Sequence, residues 1–172
     1  MAGDIDNTSV WDDADVFVSF DLEATLPTDA DDEFGVAWER IGFLDGAAGF
    51  VDTLNQSTKY YSVWGAGAIK QSVKVNERTV AFTAHERNET TDRLARPGKV
   101  PVLLALETRE NDRVYRRISR LPANVMRNGA ITDAEETLTA IPLMAFVVPD
   151  TDIDVEVADQ YFIEQDSAAT GS

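Results

Sequence analysis

A chain of 172 residues, 44% of them hydrophobic, is long enough for one domain with a sizeable core and too apolar for wholesale disorder. It has no cysteine and a single histidine, His85, which excludes disulfide frameworks, thiol nucleophiles and multi-histidine metal sites. The net charge of −16 belongs to the ends: residues 1–33 hold eleven acids and residues 150–172 hold seven, with no Lys or Arg in either, while 34–149 is slightly basic. That balance argues against a general nucleic-acid binder and against an anionic membrane surface.

The opening "MAGDIDNTSVWDDAD" has no basic region and no apolar run, so no signal peptide is expected. No stretch approaches the length of a bilayer span. The expectation is a soluble protein made in the cytoplasm. Residues 1–14 read as an acidic arm, 15–149 as a β domain, and 150–172 as an acidic C-terminal extension, its last residues "EQDSAATGS" frayed. Solvated, solubilising arms are one role for such ends.

The first expected strand is "DVFVSFDLEATL", with Val16, Val18, Phe20 and Leu22 on one face. Pro27 and the acids of "LPTDADDEFG" then make a loop. Those acids could hold Ca²⁺ weakly, but the EF-hand spacing is missing and solvated charge is the better reading. A second strand is expected in "VAWERIGFLDG", closed by Asp45-Gly46. The next twenty residues, "AAGFVDTLNQSTKYYSVWGAG", have no clean period and read as a long connection. Connections of that length are uncommon unless they have a task. This one carries Phe50, Tyr60, Tyr61 and Trp64, which either fold back on the domain's own core or are ordered by another subunit.

Strands are expected again in "AIKQSVKVN" and "ERTVAFTAHE", joined as a hairpin at "VNERT". A helix of about two turns should follow, with Asn88 as N-cap, Glu89 and Asp92 near its start, Arg93 and Arg96 near its end, and Pro97-Gly98 stopping it. "VPVLLALETRENDRVYRRISRLP" reads as a hairpin turning at residues 110–112. Its second arm carries Arg113, Arg116, Arg117 and Arg120. That cluster is a solvated face, a nucleic-acid contact, or a basic strip complementary to the acidic ends of another copy. "EETLTAIPLMAFVVPD" is a long strand interrupted by Pro142, which suits an edge, a bend or a bulge, and "IDVEVADQYFI" adds one more. The fold class expected is mainly β, a sandwich or barrel with one short flanking helix.

Catalytic motifs are missing: no Gly-x-Ser-x-Gly, no phosphate-binding Gly-rich loop, no His-Glu-x-x-His. His85 and Glu86 are neighbours on a strand and point to opposite faces, so they make no acid–base pair. The expectation is a non-enzyme with no cofactor and no metal.

The runs "GFLDG" (42–46) and "YYSVWGAGAIKQSVKVNERTVAFTAHERN" (60–88), with a helix ending in "RPG", resemble the major tail tube proteins of long-tailed (siphovirus-type) phages and related archaeal viruses. In that family a Trp-Gly or Gly-Gly segment precedes a basic strand, and a Phe-Thr-x-x-Glu-x-Asn strand end leads into a short helix. Here these are Trp64-Gly65, Lys70 to Lys74, and Phe82 to Asn88. "ITDAEETLTAIPLMAF" (131–146) resembles the family's final strands. The likeness covers roughly residues 36–148. His85 stands where an aliphatic residue is expected, and the acidic ends have no counterpart.

The resemblance implies hexameric rings that stack into the hollow tail tube of a virion. Its partners would be other copies, a tail terminator, and tape-measure and distal tail proteins. Viral DNA would pass transiently through the lumen, without sequence-specific binding and with no membrane involved. Residues 47–66 are then expected to reach a neighbouring subunit, and screening of the like-charged ends should favour assembly as salt rises. A terminator or connector ring and a contractile-secretion tube protein are variants of this reading. The alternative of another class is a monomeric carbohydrate-binding module stacking sugars on Trp38, Tyr61 and Trp64.

Overall fold

"VPVLLALETRE", which opens on a run apolar at both odd and even positions, becomes the central strand. A computed structural model describes residues 11–167. Its elements among them are β1 (Asp13–Ser19), β2 (Glu39–Arg40), β3 (Val51–Val63), β4 (Gly67–Ala84), helix α1 (Glu89–Leu94), β5 (Val100–Glu110), β6 (Arg113–Ser119), β7 (Ala123–Arg127), β8 (Ile141–Val147) and β9 (Phe162–Asp166). The fold is mainly β with one short helix, as the strand patterns predict, and the strands form one nine-stranded antiparallel sheet.

That sheet divides at β5. One edge of β5 pairs with β1 over Leu103–Arg109, and β1 carries the two-residue β2. Its other edge pairs first with β7, over Val100–Val102, and then with β6, over Ala105–Glu110. β6 continues outward to β9, whereas β7 continues to β8, β4 and β3. The two arms diverge at residues 120–122, where the β6–β7 strand breaks. There the Ser119 hydroxyl accepts the hydrogen bond of the buried Leu104 N–H (3.0 Å), standing in for the carbonyl that the broken ladder lacks. The main core lies between the arms: Val16 and Val18 from β1, Val102, Leu104 and Leu106 from β5, Val80 and Phe82 from β4, Leu143 and Ala145 from β8, with Leu94 of α1 closing one side. Leu103 and Ala105, on the opposite face of β5, meet a second cluster with Trp38 and Ile118, packed by Phe17 and Phe34.

The helix forms where Asn88 and Pro97-Gly98 place it. The Asn88 side chain accepts from Thr91 N–H (2.9 Å) and the Thr91 hydroxyl accepts from Asn88 N–H (2.9 Å), a reciprocal cap. Asn88 Nδ2 also donates to Ile41 O (2.9 Å), and so ties the helix to the segment after β2.

Several expected boundaries move. Residues 51–63, read as an irregular connection, form β3. The pattern failed because neither face of this strand meets a core, so no period-2 burial marks it. "VNERT" is not a turn: β4 runs straight through it, and Asn76 is the extra residue of a bulge between the Asn55–Glu77 and Gln56–Val75 pairs. Only Glu39–Arg40 of the expected second strand pair as a strand, and Asp45 caps a local turn by accepting from the N–H groups of Ala47 and Ala48. β7 was not foreseen, since two inward residues, Ala123 and Val125, are too few to show alternation. The strand expected at 153–163 lies instead at Phe162–Asp166, so residues 164–166, read as frayed, are paired to β6. Pro142 is the second residue of β8, and pairing with β7 stops one residue away at Leu143.

Ser119→Ala leaves the Leu104 N–H buried and unpaired, and should cost about 1–3 kcal/mol in urea unfolding. Ser57→Ala on exposed β3 should stay within about 0.5 kcal/mol of the parent. Equal effects would remove Ser119 from the account of the split.

Candidate functional site

Beyond Arg78, β4 no longer has β8 beside it, and β3 and β4 leave the sheet as a two-stranded ribbon. Every residue of β3, and of β4 from Gly67 to Glu77, is exposed. The ribbon turns at Trp64-Gly65-Ala66. Ala66 N–H donates to Val63 O (3.3 Å), and Gly65 takes φ +83° at the third position of the turn, where a side chain would be strained.

Pairing register assigns the two faces. Gln56, Thr58 and Tyr60 lie opposite Val75, Val73 and Gln71 on one face, and Ser57, Lys59 and Tyr61 lie opposite Lys74, Ser72 and Lys70 on the other. The ribbon is thus amphipathic: one face presents Val73, Val75 and Tyr60, the other three of the chain's four lysines. Lys59 Nζ sits 5.1 Å from the centre of the Tyr61 ring on its own face. Trp64 at the tip is fully exposed. Of the four aromatic residues singled out in the sequence, Tyr60, Tyr61 and Trp64 therefore ride on the ribbon. Phe50 stays at its root, half-buried and perpendicular to Phe82 at 6.5 Å.

A clamp holds that root. The Arg78 guanidinium donates from Nε and Nη2 to the two oxygens of Asp52 on β3 (3.0 and 2.8 Å) and from Nη1 to Asp159 (2.8 Å). It also lies over the rings of Phe162 (4.9 Å) and Tyr161 (5.2 Å). Arg117 of β6 donates to the same Asp52 (2.8 Å). Burial would raise the Asp52 carboxyl, but the Arg78 hydrogen bond and the Arg78 and Arg117 charges outweigh it and hold it below the usual range. Asp159 is likewise lowered: burial opposes, and the Arg78 hydrogen bond and the N–H groups of Tyr161 and Phe162 prevail. The Arg78 guanidinium, hydrogen-bonded to Asp52, is held more firmly protonated than usual.

The four arginines of the basic cluster all have partners within the chain. Arg113 grips Asp166 through two bonds (3.0 and 2.7 Å), Arg117 takes Asp52, and Arg120 donates to Asp159 O (2.6 Å). Arg116 is buried against Glu107 (2.7 Å) and donates to the carbonyls of Asp29 and Asp32 (3.0 and 3.1 Å), which fastens the acidic loop down. Arg109 links Glu107 to Asp15, and Arg40 joins at Asp15, a network of part-exposed arginines on two buried carboxylates that spacing alone did not reveal. Of the C-terminal acids, Asp166 thus already meets this strip in the same chain through its carboxylate, and Asp159 through its backbone carbonyl. Asp32 of "DADDE" accepts from Thr28 Oγ1 and from the N–H groups of Asp29 and Thr28, and these bonds hold its carboxyl below the usual range.

Trp38 is buried under Phe34, with its indole N–H on Thr25 O (3.1 Å), so it cannot join Tyr61 and Trp64 in a sugar-stacking surface. His85 holds Thr139 O through Nδ1 (2.7 Å). Among the described residues no cluster of three or more His, Asp or Glu is placed to hold a metal ion, and no helix is long and apolar enough to cross a membrane.

Because the Asp52 and Asp159 carboxyls sit lower in the folded chain than in the unfolded one, their stabilisation is complete above about pH 4 and is lost as pH falls through the lowered folded values. Arg78→Met should therefore cost about 2 kcal/mol at pH 7, with the gap from the parent closing below pH 4, as read by urea midpoints at pH 7, 5 and 3. A gap that does not narrow at all between pH 5 and pH 3 would assign the loss to packing on Tyr161 and Phe162 instead. No family model matches the chain, and no curated protein matches it.

Proposed function

We propose that this chain is a structural subunit that assembles with copies of itself into rings, hexameric by the family resemblance, that stack into the hollow tail tube of a virus. One observation carries the reading: a long two-stranded ribbon, exposed on both faces and open along both edges, projects from a well-packed body. A two-stranded hairpin is marginal in water by itself, and its unpaired N–H and C=O groups are templates for another strand. A neighbouring copy that pairs with those edges removes both liabilities. Repeated around an axis, the same heterologous contact closes a ring and builds one continuous inner barrel from several chains.

The ribbon coincides with the segment "YYSVWGAGAIKQSVKVNERT" on which the resemblance to tail tube proteins rests. It also contains most of the 47–66 stretch expected to reach another subunit. In this reading the lysine face lies against the acidic surface of the neighbour, and the lumen stays free of the tight phosphate contacts that would retard DNA. A terminator, tape-measure and distal tail proteins would meet the end rings. No catalytic group is required.

Negative-stain microscopy of the purified chain at low and high salt tests this, with a second chain in which residues 55–77 are replaced by Asn-Gly between the paired Leu54 and Arg78. Hollow tubes or stacked rings are expected from the full chain, more at high salt, and monomers of near-unchanged melting temperature from the shortened one. Single rings that never stack would favour a terminator or connector. A full chain monomeric in every salt, or a shortened chain that still forms tubes, would overturn the proposal.

A further inference from the structure

The far side of the root opens into a groove of about 560 Å³. It lies where the start of β1, the 43–50 loop and the β5–β6 hairpin meet. Trp11, Phe43, Phe50 and Tyr115 supply aromatic walls, with Trp11 and Tyr115 stacked at 5.8 Å. Asp12 and Asp45 also line it; they accept from the N–H groups of Asn111 and of Ala47 and Ala48 respectively, and neither is paired with a Lys or Arg among the described residues. The two guanidiniums that also line it, Arg40 and Arg117, are engaged by Asp15 and Asp52. The groove therefore offers aromatic walls together with two carboxylates that no Lys or Arg engages among the described residues.

The tip of the ribbon has the opposite character. Trp64 is a fully exposed indole on a tight turn, and Lys70 lies on the strand just behind it, opposite Tyr61 and without an acidic partner. Exposed indoles at the end of a stiff element are the usual anchors of protein contacts. The tip cannot serve its own groove. Phe50 lines the groove, β3 begins at the next residue, and its thirteen residues carry the tip roughly 40 Å away. Every residue of β3 is exposed, so the ribbon does not fold back on the body.

We infer that Trp64 at the ribbon tip of one copy inserts into this groove of a second copy, with the ribbon lysines against Asp12 and Asp45. The inference rests on the self-assembly reading and adds which two surfaces meet. A groove of this volume accommodates an indole together with the turn that bears it, and burying a Trp removes roughly 150–250 Å² from water. Tip and groove are different patches of one chain, so the contact is heterologous. It propagates from copy to copy and ends only by closing a ring or continuing as a filament. Lysine against carboxylate fixes orientation, and the indole supplies most of the affinity.

The absence of cysteine makes the test clean. Ala66→Cys places a thiol on the tip and keeps Trp64, Phe43→Cys places one on the groove wall, and Leu138→Cys places one on an exposed loop that does not line the groove. Full-length single-thiol chains are mixed pairwise under conditions in which light scattering reports assembly, then treated with a short bis-maleimide. The tip and groove chains should give a cross-linked dimer that tip and Leu138→Cys chains do not. Trp64→Ala in a thiol-free chain should raise the concentration needed for assembly roughly thirtyfold. Assembly in which the tip thiol fails to favour Phe43→Cys over Leu138→Cys overturns the docking and leaves the tube reading standing, as does a groove filled by some other molecule. Chains that never assemble at any salt remove both.

Discussion

Strand β5 has an apolar residue on each face, and both faces have to be covered. Val102, Leu104 and Leu106 need one covering layer, and Leu103 and Ala105 need another. At about 25 cal/mol per Å² of apolar surface, leaving either face wet would forfeit several side chains' worth of burial. The first layer is the far arm of the sheet with α1, which exists because the strand after the β5–β6 turn breaks at Ser119 and sends β7 in a different direction from β6. The second layer is the irregular 20–38 segment, which has no strand ladder to fix it. Arg116 does that work by reaching from β6 to the carbonyls of Asp29 and Asp32. A guanidinium that deeply buried is tolerable only with a carboxylate beside it, and Glu107 on β5 supplies one. The charge network under the acidic loop is thus a consequence of β5 being central.

The ribbon obeys a different rule. It buries nothing within the chain, so the hydrophobic effect does not hold it. Two things do: β4 is one unbroken strand whose inner half is locked between β3 and β8, and the Arg78 clamp joins β3, β4 and the C-terminal segment at the point of departure. The ribbon's direction is set at its root by groups that belong to the body, and its outer part is left with polar backbone and apolar side chains to satisfy elsewhere. Bulges at Asn55/Gln56 and Tyr61/Ser62 add twist along it, which keeps it from being a flat, indiscriminate pairing edge.

The parts of this fold legible in sequence are those whose signal is local. The Asn88 cap, the Pro97-Gly98 stop, the turn after Glu110 and the alternation of β1 all appear in a few adjacent residues. The ribbon is half legible: "AIKQSVKVN" reads as a strand, and lies in β4, but the β3 arm reads as an irregular connection, because alternation of apolar and polar residues is the usual sign of a strand and here both faces are wet. For the same reason "VNERT" looked like a turn, as a bulge inside an exposed ribbon tolerates the Asn and Glu that turns also favour. The Arg cluster was visible as charge, whereas its partners lie far away along the chain, Arg117 on Asp52 and Arg113 on Asp166, and no spacing rule connects them. The groove is assembled from four separate stretches and could not be read from any of them.

The division of labour between the two kinds of base is the most telling feature of the charge distribution. Among the described residues the ion pairs of Lys and Arg with carboxylates are all made by arginines, and none by lysine. A planar guanidinium that can grip two acceptors at once suits fixed internal clamps such as Arg78 and Arg116, whereas an ammonium on a flexible stem suits a contact made and remade between molecules. Three of the four lysines occupy one face of the ribbon, and none of the three has an acidic partner among the described residues. A body of strongly negative net charge repels its copies at long range. An arm of local positive charge, reaching beyond that body, offers a place where two such chains can meet with opposite signs, and it does so at a defined orientation.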